Sequence, residues 1–244
     1  MKILIISDLH GNSEAMSALP KNYDQLWVLG DLVNYGPNPG EVIDFVRRHA
    51  TFVVRGNHDH AIGFNTDPRC SEPYKAMAAE MGQFTLQALT EDEREYLRTL
   101  PLSISSEIHG SRFYLCHATP TDPLFAYCPP ESNDWEREVD AVPPGCLLVG
   151  HIHIQFRRDI FGRTIINPGS VGQPKTGAPY ACFATWEDGS IQFHSVPYAY
   201  QQTIEKIKRL QLSKEVEAGL IATLERGAPP QMGATEYVGV RSHE

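Results

Sequence analysis

Histidine, aspartate and asparagine recur in short clusters along the first two thirds of the chain. The clusters are Asp8-Leu9-His10, Gly30-Asp31, Gly56-Asn57-His58-Asp59, Cys116-His117 and Gly150-His151-Ile152-His153. Carboxylate, amide and imidazole groups suit Mn, Fe, Zn and similar ions, whereas a thiolate site would need clustered cysteines. Two aspartates and four histidines of this set would be enough to hold two ions with open coordination positions.

Each cluster taken singly has an ordinary structural explanation. An Asp-x-His at a strand end is usually a loop cap, and Gly-Asp or Gly-Asn-His-Asp favours turns. A lone His-x-His is a stronger signal, because histidine is the commonest metal ligand. All of these clusters follow apolar runs. Because every cluster follows such a run, their joint occurrence favours one shared metal site over a series of independent caps.

The two-residue spacing in Asp8-x-His10 and His151-x-His153 leaves two arrangements open. In an extended segment, residues two apart point the same way, so each pair would hold one metal region together. If the segment turns sharply instead, the two histidines would serve neighbouring ions.

The elements that position these clusters begin with alternating strands and helices. We predict strands over 2–7, 25–29 and 51–55, each ending at a cluster, with helices over 14–19 and 41–49 between them. Parallel sheets bind ligands beyond the carboxyl ends of their strands, so the clusters are expected at one edge. Further strands are predicted over 102–108, 111–117, 146–150, 157–167, 180–186 and 190–196, and helices over 73–88, 91–100, 132–139 and 201–226.

The ordered motifs resemble those of the calcineurin-like metallophosphoesterase superfamily, which run DxH, GD, GNH(D/E), H and GHxH. They stand here as SDLH, GDLVNYGP, GNHD, CHATP and GHIH, over residues 1–196. The phrases NYGPNP and INPGSVGQP are similar to the small bacterial and archaeal phosphodiesterase branch. The resemblance implies an α/β (mixed α+β) fold, a four-layer α/β/β/α sandwich of two mixed β-sheets flanked by helices. We expect that domain over 1–200 and a C-terminal helical extension over 201–244 packed on it.

The resemblance also implies the ligands of two divalent metal ions. One ion would be held by Asp8, His10, Asp31 and His153, and the other by Asp31, Asn57, His117 and His151. Asp31 would bridge them, with a hydroxide between the ions as the nucleophile. Manganese is the first choice, with iron, zinc, nickel or cobalt as alternatives.

Two residues of the third motif are implied as catalytic. His58 would stabilise the transferring phosphoryl group and help to protonate the leaving oxygen. Asp59 would orient His58 as the carboxylate of a His–Asp pair.

Five further residues are candidates for substrate contacts, each with a structural alternative. Arg55 would clamp phosphate or serve as a structural donor, and Asn12 and Asn34 would touch a phosphate oxygen or cap a turn. Phe125 and Tyr127, in the loop after His117, would stack on a leaving group or pack on the core.

Composition narrows the class of protein. The formal charge is 21 − 30 = −9, which argues against broad nucleic-acid binding and leaves a small phosphoester as the expected substrate. Five scattered cysteines without a CxxC pair predict a reducing compartment rather than a disulfide framework. No apolar run approaches the ~20 residues of a membrane helix, so we expect a cytoplasmic protein without membrane attachment.

Several activities share the implied metal core. Hydrolysis of a phosphodiester or phosphomonoester is the first interpretation, and a Ser/Thr protein phosphatase or a dinucleoside-polyphosphate hydrolase is an alternative. A non-catalytic protein-binding scaffold, like the retromer subunit of this fold, would have lost ligands or His58, and here every position is filled. The oligomeric state stays open.

Overall fold

The structure is a computed structural model that describes residues 1–228. In chain order, the elements are β1 (Lys2–Ile6), α1 (Ser13–Ser17), β2 (Gln25–Val28), α2 (Pro39–His49), β3 (Phe52–Val53), α3 (Asn57–Phe64), α4 (Glu72–Ala88), α5 (Glu91–Thr99), β4 (Ser103–Ile108), β5 (Ser111–Cys116), α6 (Asp134–Asp140), β6 (Cys146–Leu148), β7 (Gln155–Ile160), β8 (Arg163–Pro168), β9 (Tyr180–Glu187), β10 (Ser190–Pro197), α7 (Tyr200–Ile207) and α8 (Lys214–Arg226). In this part of the chain, no helix combines the length and apolar composition that a bilayer crossing requires.

The strands form two mixed sheets of five strands each. The first sheet has the order β10-β9-β1-β2-β3, with β1, β2 and β3 parallel as the alternating strand–helix pattern predicts. The second has the order β4-β5-β6-β8-β7, in which β5, β6 and β8 are parallel and the edge strands are antiparallel. Asp8, Asp31, Asn57, His117 and His151 therefore all follow the carboxyl ends of parallel strands.

The two sheets pack face to face through large apolar side chains. Trp27 of β2 and Trp186 of β9 both meet Phe113 of β5 edge to face, with ring centroids 4.9 and 5.5 Å apart. Ile3 and Ile5 of β1 point into this layer. Edge-to-face contacts of this kind fix the relative position of the sheets as well as burying apolar area.

Helices cover the outer face of each sheet. Leu4 and Ile6 alternate with the inward residues of β1 and pack in one cluster with Val42 and Val46 of α2. On the second sheet, Trp135 of α6 belongs to the cluster that covers the outer face. The order helix, sheet, sheet, helix confirms the predicted four-layer sandwich.

The predicted helical segment after residue 200 forms two helices, α7 and α8. Leu220 of α8 shares a hydrophobic cluster with Met77 of α4 and Ile204 of α7. Ser213, the residue before α8, donates from its backbone N and from Oγ to the Glu80 carboxylate, both at 2.6 Å. The proposed division at residue 200 remains an interpretation, and residues 229–244 of the expected extension lie outside the described residues.

One helix differs from the sequence-based expectation. Gly-Asn-His-Asp was expected as a turn after a strand over 51–55, but β3 ends at Val53 and Asn57 begins α3. Gly56 is the N-cap, and the Asp59 carboxylate accepts from its backbone N–H at 3.0 Å. The carboxylate thus reaches back to the helix start as the acidic residue of a capping box does.

Candidate metal centre

The backbone turns sharply at most of the predicted metal ligands. Asp8, His10, Asp31, His151 and His153 have φ angles of 55°, 45°, 55°, 67° and 63°, in the left-handed region. Each such residue costs roughly 1–2 kcal/mol of backbone energy, and strain of this kind concentrates at functional sites. Neither two-residue spacing is therefore an extended segment. Asp8 and His10 nevertheless fall in one ligand group, whereas His151 and His153 fall in two different groups, as the sharply turned alternative predicts.

Glycines allow the chain segments to approach each other at this edge. A Cβ on Gly56 would lie 2.1 Å from Asp31 Oδ1, and one on Gly150 would lie 2.0 Å from Ser7 Oγ. Any side chain at either position would push the strand ends apart. The Gly before Asn57 and the Gly before His151 thus have a steric reason to be glycine.

One ligand group, which we call group one, consists of Asp8, His10, Asp31 and His153. Each offers one atom, and these atoms all lie within 4.8 Å of one another. His153 Nε2 lies 3.2 Å from His10 Nε2 and 3.3 Å from Asp8 Oδ1. His10 Nε2 lies 3.7 Å from Asp31 Oδ2. All of these side chains are buried.

Group two consists of Asp31, Asn57, His117 and His151. Within it, Asp31, His117 and His151 offer atoms within 4.8 Å of one another. The amide Oδ1 of Asn57 lies 3.1 Å from His117 Nε2 and 3.2 Å from His151 Nδ1. Asp31 Oδ2 lies 3.3 Å from His117 Nε2, so this one oxygen faces both groups. His151 and His153 consequently face different groups although they are two residues apart.

The histidine tautomers leave lone pairs facing each other inside group one. His10 Nδ1 donates to Val33 O at 3.1 Å and His153 Nδ1 donates to Gln173 O at 2.8 Å. When both rings are neutral, the facing Nε2 atoms have no proton to share across their 3.2 Å separation. A cation bound by both nitrogens removes this repulsion, and backbone carbonyls commonly fix metal-binding imidazoles in this way.

The buried carboxylate of Asp8 is a second indication of a bound cation. Both of its carboxylate oxygens are buried and accept no hydrogen bond from residues 1–228. Burial, the largest single influence, raises the pKa of Asp8, but His153 and His117 together outweigh it and hold the pKa at about 2. A buried ionised carboxylate needs a positive partner, and its setting among imidazoles fits a divalent ion.

His117 would make metal binding at group two dependent on pH. Its Nδ1 donates to Leu29 O at 2.7 Å, which leaves Nε2 facing Asp31. Burial, the largest single influence, disfavours the imidazolium, but the Asp31 and Asp8 carboxylates and the Leu29 carbonyl together outweigh it and raise the pKa of His117 to about 9. A metal ion at Nε2 would therefore bind in exchange for a proton.

His58 lies beside both groups with a defined tautomer. Asn34 Nδ2 donates to His58 Nδ1 at 2.9 Å, so the ring proton is on Nε2, which lies 3.4 Å from Cys70 Sγ. Burial lowers the pKa of His58 to about 4 and keeps the ring neutral near pH 7. Asn34 also donates to Ala78 O at 3.2 Å, which ties this arrangement to α4.

Asp59 does not orient His58, and the expected His–Asp pair is wrong. Its two oxygens accept from the backbone N–H groups of Asp31 and Leu32 at 2.8 Å and of Gly56 at 3.0 Å. Burial and the neighbouring Asp31 charge raise the pKa of Asp59 to about 7. Asp59 therefore fixes the loop that carries Asp31, and Asn34 holds the ring of His58.

Asn12 and Arg55, two of the predicted substrate contacts, make hydrogen bonds within the protein. Asn12 caps α1 by accepting from Ala15 N and donates to Gly172 O, and the Arg55 guanidinium donates to Arg98 O. Both have the structural role that the sequence left as an alternative.

The loop aromatics differ from each other. Phe125 is half-buried beneath the Arg69 guanidinium, 4.2 Å from its ring centroid. Tyr127 is 60% exposed, and its ring centroid lies 6.1 Å from that of His151. Of the two, Tyr127 borders group two.

Sequence reasoning missed Tyr35 and Cys70. The Tyr35 ring lies 4.8 Å from that of His58, and its hydroxyl lies 3.2 Å from Cys70 Sγ. Tyr35 stands in the NYGP phrase next to Asn34, which was a usable signal. Cys70 belongs to no motif, so only the fold brings it to His58.

Proteins similar to this chain indicate its family. A model of the calcineurin-like phosphoesterase superfamily domain matches residues 1–189. An uncharacterized protein of Methanocaldococcus jannaschii is 30% identical over 86% of this chain and 93% of its own. A symmetrical bis(5'-nucleosyl)-tetraphosphatase of Nitrosococcus oceani is 31% identical over 68% of this chain and 64% of its own.

A solved structure agrees with the family model. The metallophosphoesterase from Sphaerobacter thermophilus superimposes with a TM-score of 0.76 at 30% identity, over 91% of this chain and all of that one. The family model covers most of the chain, and the solved metallophosphoesterase agrees with it. The chain belongs to the calcineurin-like phosphoesterase superfamily and is a metal-dependent phosphoric ester hydrolase.

Proposed function

We propose that this protein hydrolyses a small phosphodiester, or a phosphomonoester, at a dinuclear metal centre formed by groups one and two. The observation that carries the proposal is the position of Asp31 Oδ2, 3.7 Å from His10 Nε2 and 3.3 Å from His117 Nε2. One carboxylate oxygen between two sets of imidazole nitrogens is the arrangement that a bridging ligand needs.

The protein's own groups fit the proposed ions. Asp8, His10 and His153 would complete group one around Asp31, and Asn57, His117 and His151 would complete group two. When bound, the two ions supply Lewis acidity toward a phosphoryl oxygen and lower the pKa of the attacking water. Mixed nitrogen and oxygen ligands are compatible with manganese, which is our first choice, and with iron, zinc, nickel and cobalt.

His58 and its neighbours would act on the leaving group. The ring holds its proton on Nε2, because Asn34 donates to Nδ1, and this N–H would donate a hydrogen bond to the leaving oxygen and stabilise the negative charge that develops there. Asn34 and Cys70, the two side chains in hydrogen-bond range of the ring nitrogens, also line a cleft of about 630 Å³ between α3 and α4. This cleft is where we place the leaving group.

Hydrolysis of a dinucleoside polyphosphate is the second candidate. The supporting observation is the 191-residue match to a symmetrical bis(5'-nucleosyl)-tetraphosphatase. A cleft of this size beside His58 has room for the larger leaving group that such a substrate carries. The match spans only 64% of that relative, so a simpler phosphoester remains the first candidate.

The test starts from protein stripped with a chelator and reloaded with Mn²⁺. We expect close to two ions per chain by elemental analysis and turnover of bis(p-nitrophenyl) phosphate. The same preparation is assayed with p-nitrophenyl phosphate and with a dinucleoside tetraphosphate, and the stripped protein is the control. Fully loaded protein that hydrolyses none of the three esters would refute the proposed function. A strong preference for the tetraphosphate would replace the first candidate with the second.

A further inference from the structure

Lys175 lies in the segment between β8 and β9. Its side chain is half-buried, and Nζ stands 4.9 Å from the centroid of the Tyr74 ring. The Tyr74 ring is 6.2 Å from that of Tyr35, which in turn is 4.8 Å from that of His58. A row of aromatic rings therefore connects the Lys175 ammonium to His58.

The Lys175 ammonium has no ionic partner within the part of the chain that the structure describes. No carboxylate of residues 1–228 comes within 4.0 Å of Nζ, whereas Lys206 and Lys208 each pair with a glutamate. The negative charges that act on it are Asp8 and Asp31 of the ligand groups, together with Cys70. Burial lowers the pKa of Lys175 to about 8.

Metal binding would reverse the charge that Lys175 faces. Two divalent ions bring more positive charge than Asp8 and Asp31 neutralise, so this half-buried ammonium would face a net cationic centre. That arrangement is unfavourable unless an anion lies between the ammonium and the ions. The anion that this centre takes under the proposed function is a phosphoryl group.

We propose that Lys175 is a phosphate-binding residue, whose ammonium donates to an oxygen of the phosphoryl group held at the metal centre. This role rests on the proposed function. Tyr74 would hold the ammonium in place through its ring face, an attraction that strengthens when the cation is shielded from water. A compact ammonium with three donors suits one phosphate oxygen beside metal ions.

Phosphate affinity tests this role without relying on turnover. Inorganic phosphate is titrated by calorimetry into the Mn²⁺-loaded full chain for the wild type and for Lys175→Met, Lys175→Arg and Lys208→Met. Lys208 is an exposed lysine at the C-cap of α7, paired with Glu205, and it is the matched control. Metal content, circular dichroism and thermal melting are recorded for each variant, and KM and kcat are measured with bis(p-nitrophenyl) phosphate.

We expect Lys175→Met to weaken phosphate binding by about tenfold, equivalent to about 1.4 kcal/mol, with two ions still bound. Lys175→Arg should restore most of the affinity, Lys208→Met should match the wild type, and KM should rise in Lys175→Met. Unchanged phosphate affinity in a folded, fully loaded Lys175→Met would overturn the role, as would loss of metal from that variant. A wild type that binds phosphate through Lys175 but hydrolyses no ester would refute the proposed function alone.

Discussion

Groups one and two share Asp31 but differ in charge, exposure and backbone strain. Group one holds a second carboxylate, Asp8, and every one of its residues has a left-handed backbone. Group two has a neutral amide, Asn57, in place of that carboxylate, and His151 is partly exposed. In group two, only Asp31 and His151 are left-handed.

The comparison indicates that the two proposed ions are not equivalent. Group one offers two negative charges in a fully buried setting, which favours tight binding of a divalent ion. Group two offers only the shared charge of Asp31 and lies nearer to solvent at His151. We therefore expect the ion of group two to exchange faster, and single substitutions can test each part of this difference.

The largest expected effect comes from removing the shared ligand. Asp31→Asn should lower the occupancy of both groups, because the bridging charge disappears from each. Elemental analysis after dialysis should show less than one ion per chain, and turnover should fall to background. The stabilisation of the wild type by added metal, about 2.7 kcal/mol per site at a hundredfold excess over Kd, should be largely lost in a thermal melt. Retention of two ions in a folded Asp31→Asn would contradict the bridging role.

Removing the second carboxylate should affect one ion only. Asp8→Asn leaves Asp31 in place, so we expect group one to empty and group two to keep its ion. Elemental analysis should give close to one ion per chain, and a metal titration followed by calorimetry should lose its tighter phase. Loss of the weaker phase instead would reverse the ranking of the groups.

A smaller effect is expected at the neutral ligand of group two. Asn57→Ala removes one coordinating oxygen without removing charge, so the weaker phase should shift by roughly tenfold to a hundredfold, about 1.4 to 2.8 kcal/mol. Calorimetric titration with Mn²⁺ gives both phases in one experiment, and Asn65→Ala at the other end of α3 is the matched control. Equal weakening of both phases would show that Asn57 does not belong to group two alone.

The smallest effect on metal is expected from His58→Asn. The ring of His58 belongs to neither group, so both ions should remain bound while turnover falls by about 10²- to 10⁴-fold. Elemental analysis and kcat on the same preparation separate the two effects. A variant that loses metal but keeps its residual rate would show that His58 has a different role.

The sequence alone predicted the ligand types and the edge at which they meet. Asp8, Asp31 and Asn57 each follow an apolar strand, and parallel strands place their carboxyl ends side by side. Apolar runs between turns predicted the strands of both sheets, except that the segment 157–167, predicted as one strand, lies across the antiparallel strands β7 and β8. The start of α3 was missed, because Gly-Asn-His-Asp has the turn residues that also cap helices.

Only the tertiary structure decided which groups support the ligands. Asn34, not Asp59, holds His58, because the Asp59 carboxylate is already occupied by three backbone N–H groups. His151 and His153 divide between the two groups because their left-handed φ angles turn the chain, which spacing does not reveal. Lys175 meets the Tyr74 ring from a segment distant in sequence from α4, where Tyr74 lies. Motifs record which residues are present, whereas hydrogen-bond partners and unpaired charges depend on how separate segments pack together.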